Sequence, residues 1–359
     1  MLKKTIRRLG ALAMVLAMAV SVFAVNASAA GEEVVSATNP AVNATITKNV
    51  NMDAGVLAPG DFEFEVKPGN TTPLDGVPVT AGSADDISVT KATVTRGTNG
   101  VTGSATLTVK ANAYKTPGIY TYKLTEKAGN LDGMTYDTTE YDVYVYVKNA
   151  ENNYATTITV LKEGKTVAVG SNTGKAQFVF NNTYATNDLK VSKEIKGDFT
   201  TGNETFTFTL GVGASTELKD KTLAQKYSVV VYDKDGKQKG ETREVALNGT
   251  VNVTLGQGDY VMVYGLTEYN TYTVKEDKHG EDGFTTTVNV SAADATLNEN
   301  TNTTESNALI KKDQTVAYTN TKDPSTPTGV IMNIAPYALM VVLAGAFAVV
   351  FLSRRNRAE

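Results

Sequence analysis

The chain has 359 residues, a formal net charge of −4, no cysteine and one histidine. Disulfides and thiolate metal sites are therefore excluded, and His279 alone cannot build a His-rich zinc site. Seven of the 34 basic residues and one of the 38 acidic residues lie in the two ends, so the segment between holds 27 and 37, a net of −10. A body this acidic is a poor binder of nucleic acid, whose phosphates demand cations.

Residues 1–30 read as a secretory signal peptide. MLKKTIRRLG supplies the basic start, ALAMVLAMAVSVFAV the apolar core, and Ala27-Ser28-Ala29 the small-residue exit. The run is short for a membrane anchor. Export without cysteine means that the cores suffice alone or that another crosslink replaces the disulfide.

About 290 residues lie between the two ends, enough for two domains of ordinary size. After a lead-in at 31–42, residues 43–184 spell strand after strand: ATITKNV, DFEFEV, DISVTKATVTR, GSATLTVKAN, GIYTYKLTEK, EYDVYVYVKN, ATTITVL and AQFVFNN. β-Branched and aromatic residues alternate there, punctuated by Gly, Pro, Asn and Asp. A brief linker, TYATND, leads to residues 188–322. There DLKVSKEI, ETFTFTLGV, KYSVVVYD, TREVALNGTVNVTL, YVMVYG, TYTVKED, TTTVNVS and TVAYTN repeat the pattern. No window between the ends carries a helical stripe. The expectation is an all-β protein of two tandem Ig-like β-sandwiches.

Residues 325–359 close the chain. Ser325-Thr326-Pro327-Thr328-Gly329 precede an apolar span, 331–352, long enough to cross a bilayer as a helix. Arg354, Arg355 and Arg357 follow, and the positive-inside rule keeps them cytoplasmic.

Successive side chains of a strand face opposite ways, and this parity puts polar residues where apolar ones belong. Lys48 shares a face with Ile46, Glu126 with Tyr120, Tyr122 and Leu124, and Asn182 with Phe178 and Phe180. The second half repeats the order. Lys193 goes with Leu189, Val191 and Ile195, Glu276 with Tyr272 and Val274, and Asn320 with Val316 and Tyr318. One such lysine can snorkel out at a strand end, and one such asparagine can be a satisfied core amide. Six in matching order in two domains point instead to a buried Lys, Glu and Asn in each.

Such a trio permits amide formation without an outside enzyme. Desolvation strips a buried lysine of its charge and leaves the free electron pair that a nucleophile needs. The same burial keeps a carboxyl protonated, able to donate to the asparagine carboxamide oxygen and to pass a proton to departing ammonia. Fixed placement replaces the encounter cost of an intermolecular reaction.

The segments TITKNVNMDAGVLAPGDFEFEV, YKLTEKAGNLDGMTYDTTEYDVYVYV, FVFNNT, LKVSKEIKG and QTVAYTNTKDPSTPTG resemble, in order, a streptococcal T-antigen-type backbone pilin. The likeness covers nearly all of the chain between the signal peptide and the closing segment. It implies collagen-adhesin B-type (CnaB) domains with internal isopeptide bonds. Lys48 would bond to Asn182 with Glu126 assisting, and Lys193 to Asn320 with Glu276 assisting. Glu268 rivals Glu276 but falls in the loop before the strand. The resemblance further implies a structural role without cofactor or metal, and head-to-tail polymerisation of identical subunits on a Gram-positive surface. Sortase, peptidoglycan and minor tip or basal pilins are the other partners it implies.

The PTG, the apolar span and the arginine tail together look like a sortase sorting signal, cut between Thr328 and Gly329. The segment departs from the commonest LPxTG form: Ser325 and Thr326 replace Leu-Pro, and the proline comes one position later. Which sortase acts stays open. In the T-antigen type the receiving lysine lies seven residues before the first bonding asparagine, which here is Lys175. Its parity with Gln177, Val179 and Asn181 turns it outward. No YPK motif occurs, and Lys148, Lys162 and Lys165 are alternatives. The reading is a pilus shaft subunit, with a monomeric wall-anchored adhesin of the same domains as the alternative. GSNTGKA lacks the spacing of a phosphate loop, and DKDG at 233–236 reads as a hairpin turn rather than a calcium loop.

Overall fold

The computed structural model describes residues 39–323 except 75, 99, 152, 170–177, 278–282, 293–294, 299–302, 307–309 and 311. The expected signal peptide, the apolar span at 331–352, Lys175, Thr328 and Gly329 lie outside the described residues. Among those described, no helix is long and apolar enough to cross a membrane. Regular structure there is strand, apart from one 3-10 turn at Ala84–Asp86.

Two pairs of sheets follow one another along the chain. In the first half one sheet runs in the order Met134–Thr135, Val179–Tyr184, Val42–Met52, Gly100–Val109, Ile87–Val89. The other runs Lys165–Val169, Asn153–Lys162, Glu140–Ala150, Gly118–Glu126, Phe64–Pro68. One core joins them, with Ile46, Leu107 and Phe180 from the first sheet against Leu124, Val143 and Ile158 from the second. The second half repeats the plan. Its sheets are ordered Arg243–Ala246, Lys226–Tyr232, Tyr260–Leu266, Asn187–Lys196, Gln314–Thr321, Thr285–Val290 and Gly249–Leu255, Phe206–Ala214, Asn270–Glu276, Thr303–Ser306, Ala295–Asn298. Alternating burial along Asn187–Lys196, Phe206–Ala214 and Gln314–Thr321 follows from the period of two in the sequence.

Two expected strands are subdivided. DISVTKATVTR forms three short pieces, Ile87–Val89, Ala92–Thr93 and Thr95–Gly97. TREVALNGTVNVTL splits between the two sheets, and Asn248 makes the crossing in the left-handed conformation at φ +60°, which asparagine tolerates better than most residues.

In each half the first and last strands are parallel neighbours. Val42–Met52 lies beside Val179–Tyr184 with Lys48 opposite Phe180 and Val50 opposite Asn182. Asn187–Lys196 lies beside Gln314–Thr321 with Lys193 opposite Tyr318 and Ile195 opposite Asn320. Both asparagines therefore sit two residues past the position facing their lysine. An even offset keeps the two side chains on one face of the sheet.

The joint between the halves is shorter than the expected linker, because only Ala185 and Thr186 separate the flanking strands. Asp132 N–H donates to the Thr222 carbonyl (2.8 Å), Thr222 N–H to Asn130 (2.9 Å) and Ala185 N–H to Gly133 (2.9 Å). Gly133 has φ +76°, and a Cβ there would collide with the Ala185 carbonyl oxygen. A small core at this end, including Val50, Val56, Phe62, Met134 and Tyr184, takes in Tyr264 from the second half.

Candidate functional site: two buried Lys, Glu and Asn trios

In the first domain Lys48, on the opening strand, is completely buried, and its Nζ lies 2.8 Å from Glu126 Oε2. Glu126 ends the strand Gly118–Glu126. Its other oxygen, Oε1, accepts from Asn182 Nδ2 at 2.7 Å. The carboxylate thus spans the amine and the amide nitrogen, one oxygen to each. The Phe62 ring lies 4.7 Å from the amine, and Phe64 stands opposite Glu126 across the strand pair. Burial pushes the Lys48 amine below its ordinary value, against the upward pull of the Glu126 hydrogen bond and charge.

The second domain assembles the same parts. Lys193 Nζ is 2.5 Å from Glu276 Oε1, and both side chains are shut off from solvent. Asn320 Nδ2 donates to the same Oε1 at 3.1 Å, while Oε2 takes a longer contact, 3.4 Å, from the Thr286 hydroxyl. Phe206 lies 3.9 Å and Phe208 5.8 Å from the amine, and Phe208 stands opposite Glu276. Burial pushes the Lys193 amine down to about 8 although Glu276 pulls it up. Glu268, the rival carboxylate, lies in the turn between the strands Tyr260–Leu266 and Asn270–Glu276.

All six residues expected from parity therefore meet inside the two cores. The carboxamide differs from the expectation in one respect. The sequence reading has the glutamate donating to the asparagine oxygen, whereas Asn182 Oδ1 accepts from the backbone N–H of Asp137 at 2.8 Å and Glu126 faces the nitrogen. A backbone N–H pointing at an amide NH2 would be repulsive, so Asp137 settles which way the carboxamide is turned.

Sequence reasoning missed three contributors: Asp137, Thr286 and the phenylalanines over the amines. The last had a signal. DFEFEV and ETFTFTL place a Phe-x-Phe pair at matching points of the two halves. Nothing local marks Asp137, which reaches Asn182 from 45 residues away.

Of the alternative acceptors for a neighbouring subunit, Lys148 is exposed, and Lys162 is half-buried with Nζ donating to the Thr139 hydroxyl at 3.4 Å. The side chain of Lys165 lies outside the described residues. Among the described residues no group of three or more His, Cys, Asp or Glu could hold a metal ion.

Fold and site together define a tandem β-sandwich protein with a lysine, a glutamate and an asparagine sealed into each core. A family model described as a Spy0128-like isopeptide containing domain matches residues 44–185, and a domain of unknown function, DUF7601, matches 187–322. A pilin of Streptococcus pyogenes serotype M1 is 32% identical over 323 residues, 87% of this chain and 90% of that one. The crystal structure of the major pilin from Streptococcus pyogenes is 28% identical, with a TM-score of 0.51, over 79% of this chain and 99% of that chain. A mutant of that pilin matches at 26% identity and the same TM-score and coverage. The chain belongs to the pilin family. It is a structural subunit, not an enzyme with turnover.

Proposed function

We propose that this chain is the shaft subunit of a sortase-assembled surface pilus, locked by one self-formed isopeptide bond in each domain. The observation that carries the reading is the recurrence of one constellation in both domains: a buried amine, a carboxylate touching both amine and carboxamide, and an asparagine offset by two on the adjacent parallel strand.

In the first domain the neutral Lys48 amine attacks Asn182 Cγ, and a C–N bond forms. Glu126 takes a proton from the attacking nitrogen and delivers one to Nδ2. The Cγ–Nδ2 bond then breaks and ammonia leaves, with no net change in the protonation of Glu126. Lys193, Glu276 and Asn320 follow the same steps. Each bond closes a loop of about 130 residues, for which chain-entropy reasoning for disulfides gives about 5 kcal/mol as an upper-end guide.

Between subunits, sortase would cut after Thr328 and pass its carbonyl to Lys175 of the next copy. The apolar span 331–352 would hold the precursor in the membrane, and peptidoglycan would receive the last subunit. Load would then run from Lys175 through Asn182 and the two-residue joint to Lys193, cross to Asn320 and leave at Thr328. That route bypasses the strands of the second domain.

Intact mass of the mature chain tests the bonds. It should fall short of the sequence mass by two ammonia molecules, and a full-mass chain refutes the reading. Wall extracts test assembly. A ladder of high-mass species fits the pilus, and a single band the wall-anchored adhesin.

A further inference from the structure

Resting on the bond formation proposed above, we infer that Asp137 is a further catalytic residue of the first domain, acting through its backbone N–H as the donor for the oxygen of the tetrahedral intermediate. When the Lys48 amine adds to Asn182 Cγ, negative charge develops on Oδ1. A donor already fixed at that oxygen stabilises the charge without reorganising. The Asp137 nitrogen stands 2.8 Å from Oδ1 of the unreacted carboxamide, close enough to follow that oxygen as charge develops on it.

The side chain of Asp137 holds the donor in place. Its Oδ2 accepts the N–H of Asn181, the residue next to the reacting asparagine, at 2.7 Å. Its Oδ1 accepts the N–H of Thr139 at 2.8 Å. The loop and the last strand are thus clamped to each other in both directions, backbone to side chain and side chain to backbone. Burial opposes the charge on this carboxylate, yet the hydrogen bonds from Thr139 and Asn181, with Lys48 nearby, hold it below the ordinary range. The clamp therefore stays charged at neutral pH. No part of it contacts the Lys48 amine in a hydrogen bond, so Asp137 acts on the carbonyl side while Glu126 serves the two nitrogens.

The test follows the two bonds separately in one molecule. Full chains made by cell-free synthesis are stopped in acid at intervals and digested, and the Lys48–Asn182 and Lys193–Asn320 crosslinked peptides are quantified by mass. Asp137→Pro deletes the N–H and should slow the first crosslink by about 100-fold, the usual effect of losing one oxyanion donor. Asp137→Ala keeps the N–H but frees the loop and should slow it less. The second crosslink should keep its rate in both variants. The proposal is overturned if the first crosslink forms at the wild-type rate in the proline variant, or is slowed no more there than in the alanine variant, or if both crosslinks slow together. Should the proline variant fail to fold, the α-hydroxy analogue of Asp137, incorporated in the same cell-free synthesis, removes the N–H while keeping the side chain, and a wild-type rate for its first crosslink overturns the proposal. A wild-type chain that forms neither crosslink would instead refute the isopeptide reading itself.

Discussion

The two domains assemble the same three residue types with different hydrogen bonding. In the first, Glu126 gives one oxygen to the amine and the other to the amide nitrogen, and Asp137 holds the amide oxygen. In the second, Glu276 offers one oxygen to both nitrogens, and Asn320 Oδ1 accepts no hydrogen bond among the described residues. Proton relay across two oxygens needs no shift of either partner, while relay on a single oxygen must exchange partners on one atom. On the proposed mechanism the first crosslink should therefore form faster than the second, which timed quantification of the two crosslinked peptides checks. The second trio buries its lysine under a closer ring, Phe206 at 3.9 Å against Phe62 at 4.7 Å.

Removing the shared carboxylate should have the largest effect. Glu126→Ala should abolish the first bond and leave the second, and Glu276→Ala should do the reverse, each restoring one ammonia to the intact mass. Each variant also strands a buried lysine, at about 3–5 kcal/mol if the amine stays charged, so the thermal midpoint should drop sharply.

The aromatic covers come next. Phe206 is 1% exposed inside the main core of the second domain, whereas Phe62 belongs to the small core at the joint. Truncating a buried phenylalanine costs about 3–5 kcal/mol. Phe206→Ala should reach that range in urea unfolding and slow its crosslink by admitting water. Phe62→Ala should cost less, because the joint can settle into the gap.

The smallest effect expected is a pH dependence, visible once a bond is blocked. In an Asn320→Ala chain Lys193 remains an amine, with a folded value of about 8 against an ordinary 10.5. Between those limits the unfolded chain binds a proton that the folded chain does not, so stability should rise with pH across the window. Below about 8 both forms hold the proton, and that gain is absent. Asn182→Ala should show the same sign, because Lys48 is also lowered. A flat profile from pH 8 to 10.5 would show that Lys193 is not held by desolvation.

The six trio residues were legible because a strand's period of two is written into the chain: a lysine in step with Ile46, or an asparagine in step with Tyr318, starts on the core face, and the repeat of that placement in both halves told against a lysine snorkelling out. Boundaries were less legible. The stretch 183–188 reads as loop by composition, yet strand pairing claims all but Ala185 and Thr186. What the sequence by itself determined is the all-β plan, its duplication, and which side chains go inward, since all three depend on local alternation. Only the tertiary structure decided that the first and last strands are parallel neighbours offset by two, and that Asp137 turns its N–H onto Asn182. Those depend on contacts between segments 45 to more than 100 residues apart, and no local pattern encodes a distance of that kind.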